Sequence, residues 1–209
     1  MTPTFSFRLR IAVAIAALAA PGFALGHAGN AHHLHGAWAT FCAGLGHPLT
    51  GIDHVLAAAV FGVLAARSAG RAPACVPPVF LATMLSAAVG ARHGFTLPAV
   101  ETGIALSLIV AGLALAGIVA LTTPMLTAAA CLFAAFHGQA HGAELPPSAF
   151  IGSYLLGLML ASATLMALGA LLGRGRAYAS VSSEARPSAL HWAGVMVASA
   201  GLGHLLVQA

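Results

Sequence analysis

The chain has 209 residues, of which 60% are hydrophobic and only 6% charged, and its mean hydropathy is +0.96. This composition excludes a soluble domain and is typical of a single-domain, polytopic membrane protein. The formal net charge of +4 is the balance of eight arginines against four acidic residues, and the chain has no lysine. Because these arginines stand at the ends of apolar runs, the positive charge does not indicate a nucleic-acid partner.

Residues 1–26 have the pattern of a secretory signal peptide. Arg8 and Arg10 precede an apolar core, residues 11–20, that is too short to span a bilayer and is followed by Pro21. Cleavage is predicted after Ala24 or after Gly26, and an uncleaved first helix is the alternative.

Residues 27–46 are predicted to be a His-rich leader outside the cytoplasm, either a weak metal-capturing arm or a stretch of incidental composition. It contains His27, His32, His33 and His35. Cleavage after Ala24 would place His27 third from a free amine, an arrangement that offers four in-plane nitrogens to Ni(II) or Cu(II). Cleavage after Gly26 would make His27 the first residue, with only its amine and imidazole as ligands.

Six apolar runs follow, and each is predicted to be a transmembrane helix, so the predicted fold is all-α with a six-helix domain over residues 47–209. A mature N-terminus outside the cytoplasm places five arginines in the inner loops and Arg92 alone outside, in agreement with the positive-inside rule. The predicted spans are 48–66, 76–91, 98–117, 122–139, 147–172 and 188–207, and the long polar loop is 174–187.

The first span opens on His47-Pro48-Leu49-Thr50-Gly51-Ile52-Asp53-His54. Pro48 suits the first position of a helix, so we expect Asp53 and His54 about 8 Å inside it. His47 and His54 are seven residues apart and would share one face of that helix. An acid within a membrane helix costs about 2.5–3.5 kcal/mol. We therefore interpret this stretch as half of a metal site.

The second motif is Phe136-His137-Gly138-Gln139-Ala140-His141-Gly142-Ala143-Glu144, at the end of the fourth span. His137, His141 and Glu144 would lie on one helix face, with Gly138 and Gly142 loosening the helix so that the ligands can adjust. The spacing lacks the glutamate of a zinc-protease His-Glu-x-x-His helix, so protease chemistry is rejected. Imidazole and carboxylate ligands suit Ni(II), Co(II) or Zn(II).

Other polar groups in the spans have structural alternatives. Glu101, one turn into the third span, would either complete the metal shell or pair with a histidine. His191 and His204 are each predicted to form a hydrogen bond between helices. The three cysteines are scattered, so neither a disulfide framework nor a thiolate metal site is expected, and the six dispersed methionines argue against a Cu(I) path.

At these residues the chain resembles the HupE/UreJ family, membrane proteins associated with hydrogenase and urease gene clusters. The resemblance rests on both His-rich motifs and on Glu101-x-x-Ile104-Ala105-Leu106-Ser107, and it covers essentially the whole mature chain. That family commonly has a methionine after the first motif, whereas residues 57–62 of this chain contain none.

The resemblance implies a secondary transporter of the bacterial inner membrane, with a periplasmic mature N-terminus. Its cargo would be Ni(II), with Co(II) as the second candidate, and it would supply hydrogenase or urease assembly without a prosthetic group of its own. The expected metal ligands are His47, Asp53, His54, Glu101, His137, His141 and Glu144, with His27 in the capturing arm.

Two rival functions stay open. The chain could be an accessory protein that binds nickel without moving it. An intramembrane enzyme would need an acid or nucleophile beside the metal and a gate for a substrate, and the sequence supplies neither clearly, so no enzymatic activity is expected. The expected partners are a divalent ion and the lipid bilayer, and the sequence leaves a homo-oligomer open.

Overall fold

The computed structural model describes residues 36–145, 149–174 and 189–208, and the regular secondary structure of these segments is helical. The predicted all-α class is therefore confirmed for the described part of the chain. The predicted signal peptide, His27 with the leader up to residue 35, and nearly all of the loop 174–187 lie outside it. The helices are α1 Ala37–Thr50, α2 Ile52–Arg67, α3 Ala72–Arg92, α4 Val100–Leu115, α5 Thr123–Ala143, α6 Ile151–Arg174 and α7 Ala189–Gln208.

The prediction of one straight helix starting at Pro48 is wrong. Two helices, α1 and α2, meet at Gly51 with an angle of 82° between them, and Pro48 lies inside α1. Proline has no N–H to donate to the carbonyl four residues earlier, which weakens the last turn of α1. Gly51 is extended, with φ −104° and ψ 116°, and the Thr50 hydroxyl donates to the His47 carbonyl at 2.7 Å. This bond satisfies a carbonyl that the helix end leaves open.

Within the described residues, three helices are long and apolar enough to cross a membrane: α3, α6 and α7. The bent pair of α1 and α2 meets the same criterion together, and α4 is apolar but has only 16 residues. The 21 residues of α5 include His137, Gln139 and His141 in its last two turns, which shortens its apolar stretch. The chain is thus a multi-pass membrane protein, while the count of six spans stays a prediction.

The helices approach closely where glycines face a neighbouring backbone, as is usual for helix packing in membranes. Both α1 and α2 pack on α6. A Cβ on Gly44 would overlap the Tyr154 carbonyl, and a Cβ on Gly62 would overlap the Met166 carbonyl. One long helix therefore supports both halves of the broken pair and fixes the bend at Gly51.

The most extensive helix contact in the described structure joins α3 and α5. Added Cβ atoms on Gly138 and Gly142 would overlap the carbonyl oxygens of Met84 and Ala88. These two glycines were expected to loosen α5 around its ligands, but in the structure they let α5 lie directly against α3. His137 and His141, which each precede one of these glycines, are consequently held on a closely packed helix pair.

Candidate metal site

Four histidines from three helices form one cluster, called here the four-histidine cluster: His47 of α1, His54 of α2, and His137 and His141 of α5. The ring centroid of His141 lies 4.8 Å from that of His47 and 4.3 Å from that of His54, and His54 and His137 are 5.0 Å apart. His137 and His141 are only 2% and 1% exposed. The two His-rich motifs, 83 residues apart at their closest contact, thus meet in space.

His47 and His54 were predicted to share one helix face, and this prediction is wrong. They lie on two helices, and the bend at Gly51 brings their ring centroids to 6.5 Å. Asp53 and His54 are in the first turn of α2 and not about 8 Å inside a longer helix. The cost of polar groups deep in a membrane helix therefore no longer explains why Asp53 and His54 need partners. A helix break exposes backbone groups that a continuous helix would satisfy, and such breaks in membrane proteins lie where the backbone is buried in protein or lines a cavity.

Two carboxylates flank the cluster. His47 Nε2 is 3.0 Å from a Glu144 oxygen, with side-chain exposures of 25% and 57%. Asp53 Oδ2 is 3.8 Å from His54 Nε2, and both side chains are largely buried. Glu144 thus lies at the exposed side of the cluster, and Asp53 lies more deeply, beside His54.

The contact with His47 affects the Glu144 carboxyl, which follows the end of α5. The close approach of the His47 ring is the main cause that holds the pKa of Glu144 below its ordinary value, and partial burial acts in the opposite direction. The contribution of this pair to the stability of the folded protein is therefore fully present at pH values above the ordinary carboxyl pKa. It is lost as the pH falls through the lower pKa of the folded protein.

We expect His47→Ala to raise the pKa of Glu144, because its main stabilising partner is removed. Titration of the ¹³C-labelled glutamate carboxyls in detergent would measure this. His93→Ala, on the exposed turn after α3, is the matched control and should leave the Glu144 titration unchanged. An unchanged Glu144 pKa in His47→Ala would contradict the assignment of the pair.

The inner part of the cluster is a chain of hydrogen bonds. His54 Nδ1 lies 2.8 Å from His137 Nδ1, and His137 Nε2 lies 3.0 Å from Ser107 Oγ. Ser107 Oγ in turn donates to the Ile104 carbonyl at 2.6 Å. The buried Nδ1 of His141 has no hydrogen-bond partner among the described residues. That nitrogen is open to a ligand.

A small cavity lies against the cluster and leaves about 10 Å³ for the centre of a water-sized sphere, roughly what one water molecule needs. A single ion that has lost most of its hydration shell would therefore fit, and a hydrated one would not. The wall combines imidazole, thioether, hydroxyl and apolar groups, contributed by Pro48, His54, Ala58, Phe80, Met84, His137, His141 and Ser162.

Six of the predicted ligands come together in this site: His47, Asp53, His54, His137, His141 and Glu144. Glu101 is not in contact with them in the described structure; its carboxylate lies 3.3 Å from His204 Nε2 of α7. Within the described segments, no group of three or more His, Cys, Asp or Glu side chains is arranged to hold a metal ion. One physical reason is that His54 and His137 are hydrogen-bonded to each other, so that each ring uses its Nδ1 for this bond and not for an ion.

The sequence analysis gave no role to Met84, which lines the cavity, or to Ser107, which contacts His137 and was quoted only as part of the third-span motif. Each stands in an apolar helical run, where neither hydropathy nor spacing distinguishes it. Met84 of α3 brings a thioether to the cavity that the stretch 57–62 lacks. The predicted role of His191 is confirmed, since its Nδ1 bonds the Ala116 carbonyl at 2.8 Å. His204 likewise pairs across helices.

Gly51 leaves room for both polar side chains that follow it. A Cβ at this position would lie 2.7 Å from Asp53 Oδ1 and 2.7 Å from His54 Cδ2. We therefore expect Gly51→Ala to displace both and to weaken nickel binding by about 10–100-fold, as mispositioned ligands commonly do. Gly46→Ala is the matched control, because nothing lies within 4 Å of its added Cβ. Calorimetric titration of the purified proteins compares them, and equal affinities would refute this role of Gly51.

Known proteins resemble this chain in sequence. The model of the family described as HupE / UreJ protein matches residues 15–204. Protein HupE of Rhizobium leguminosarum bv. viciae is 38% identical over 160 residues, which are 77% of this chain and 81% of that protein. No solved structure matches the chain.

Proposed function

The chain belongs to the HupE/UreJ family, and from that premise we propose that it is a permease for Ni(II), with Co(II) as the second candidate. It would act in the bacterial cytoplasmic membrane, with its mature N-terminus in the periplasm, and supply metal for hydrogenase or urease assembly. The observation that carries this proposal is the four-histidine cluster, which lies between helices and is flanked by the carboxylates of Asp53 and Glu144.

The donor set supports a divalent transition metal as cargo. Imidazole nitrogen together with carboxylate oxygen suits Ni(II) and Co(II), whereas Mg(II) and Ca(II) prefer oxygen ligands alone. Histidine must be neutral to bind a metal, and burial among other imidazoles favours the neutral form. A dry, histidine-rich site therefore selects against the hard cations that are most abundant in cells.

The geometry suggests an order of events. The half-exposed pair of His47 and Glu144 meets the incoming ion and replaces part of its hydration shell. Asp53 and His54 then take the ion at the start of α2, beside the open Nδ1 of His141. The broken helix supports this order, because discontinuous helices commonly form ion sites in secondary transporters.

A second candidate function is metal binding without transport, and one observation favours it. The part of α2 that follows His54 is buried and apolar, with Val55, Ala58 and Phe61 next along the helix. Within α2, residues 55–66 thus offer an ion no polar side chain below the cluster. A membrane accessory protein that stores or hands over nickel would need none.

Uptake of radiolabelled nickel into proteoliposomes separates the two functions. A permease should load the lumen with nickel that an external chelator cannot remove, with cobalt competing more strongly than zinc or copper. Nickel that remains on the protein and is stripped by the chelator would establish binding alone. Empty liposomes and liposomes containing the Asp53→Asn protein are the controls.

A further inference from the structure

Ser107 is fully buried on α4, and its hydroxyl group makes two polar contacts. Its Oγ lies 2.6 Å from the Ile104 carbonyl oxygen and 3.0 Å from His137 Nε2. A serine hydroxyl has one proton, and two oxygens 2.6 Å apart would repel each other without a proton between them. Ser107 therefore donates to Ile104 and accepts from His137, so Nε2 of His137 carries a hydrogen.

The position of this hydrogen determines the state of the next ring. His137 is 2% exposed, and a second proton on it would bury a positive charge between a hydroxyl and an imidazole. Neutral His137 thus has its lone pair on Nδ1. The Nδ1 of His54, 2.8 Å away, must then be the donor of their hydrogen bond.

A neutral His54 that donates from Nδ1 has its lone pair on Nε2. This atom lies 3.8 Å from Asp53 Oδ2, too far for a hydrogen bond. Metal–ligand bonds of about 2.0–2.2 Å place two ligand atoms about 3.0–4.2 Å apart for angles between 90° and 180°. One divalent ion could therefore bridge His54 Nε2 and Asp53 Oδ2 without a change in their separation.

We propose that Ser107 is a positioning residue of the metal site. Through His137 it fixes the tautomer of His54 and keeps the lone pair on Nε2, the ring nitrogen 3.8 Å from Asp53 Oδ2, and His137 itself is a structural support and not a metal ligand. The identity of the ion as nickel rests on the proposed function, whereas the tautomers belong to the metal-free protein.

Nitrogen NMR of the metal-free protein with ¹⁵N-labelled histidine tests the proposed series of hydrogen bonds directly. The expected spectrum has hydrogen on Nε2 of His137 and on Nδ1 of His54, with a coupling between the two Nδ1 nuclei across their hydrogen bond. Single substitutions of His54 and His137 assign the signals. Hydrogen on Nδ1 of His137, with Nδ1 of His54 as acceptor, would overturn the proposal even if no serine variant folds.

Variants of Ser107 test its effect on binding. Ser107→Ala should mix the tautomers of His137 and weaken nickel binding by about 10–100-fold. Ser107→Thr keeps the hydroxyl and should therefore restore the single tautomer and the affinity for nickel. Ser86→Ala is the matched control, because Ser86 makes the same kind of backbone bond, to Ala82 at 2.8 Å, from an exposed position. Wild-type tautomers and affinity in Ser107→Ala would refute the proposal.

These results can be told apart from failure of the permease. If the tautomers and the Ser107 effect are found but nickel never enters proteoliposomes, the positioning role stands and the transport function falls. If uptake is normal and independent of the Ser107 hydroxyl, the transport function stands and the positioning role falls.

Discussion

Asp53→Asn should abolish nickel uptake while leaving the protein in the membrane. Asparagine has nearly the same shape and is also favourable near the start of a helix, so the change removes charge and little else. We expect uptake at limiting nickel to fall by about 100-fold or more, equivalent to about 2.8 kcal/mol of ion binding. Radiolabelled nickel uptake at matched protein levels in the membrane measures the loss.

Arg67→Ala is the control for this experiment, since Arg67 ends the same helix, α2, at its far end. It should insert and transport nearly as the wild type does. Normal uptake by Asp53→Asn at equal expression would remove the carboxylate from the site and, with it, the main argument for the His-Asp-His motif.

Gly142→Ala should destabilise the protein strongly, although it adds only one methyl group. The new Cβ would overlap the Ala88 carbonyl, a backbone atom that cannot turn away. Overpacking costs about 1–3 kcal/mol where only side chains must adjust, so we expect a thermal midpoint lowered by about 5 °C or more. Nickel binding should weaken as well, because His141 is the preceding residue.

The matched control is Gly203→Ala on α7, where nothing lies within 4 Å of the added Cβ. Alanine should be neutral or slightly stabilising there, since it favours helix by up to about 1 kcal/mol over glycine. Thermal unfolding of both variants in one detergent makes the comparison. Equal midpoints would show that α3 and α5 can separate without cost.

The sequence predicted the helical class and pointed to six polar side chains that the structure brings together, because long apolar runs and polar groups within them have direct energetic meanings. It did not predict the bend. The run from Pro48 to Ala66 is apolar throughout apart from its first motif. Hydropathy gives no information on where the backbone hydrogen bonds of a helix are interrupted. The pairing of Glu101 with His204 was likewise undetermined, since any of several histidines at that end could have met it.

Ser107 shows a different limit. Its neighbours Leu106 and Leu108 are apolar, and a serine in a membrane helix usually bonds its own helix backbone, as this one does. Only the approach of α5 gives its hydroxyl a second partner. Sequence reasoning can identify such a residue only when the packing of the two helices is known.

The position of Asp53 in the first turn of α2 bears on how fast an ion could leave. A helix has about half a positive charge at its amino end, and that partial charge already attracts the carboxylate. A divalent ion beside Asp53 therefore meets less than one full negative charge. Tight capture and quick release oppose each other, and a carboxylate shared between a helix end and its cargo favours turnover over storage.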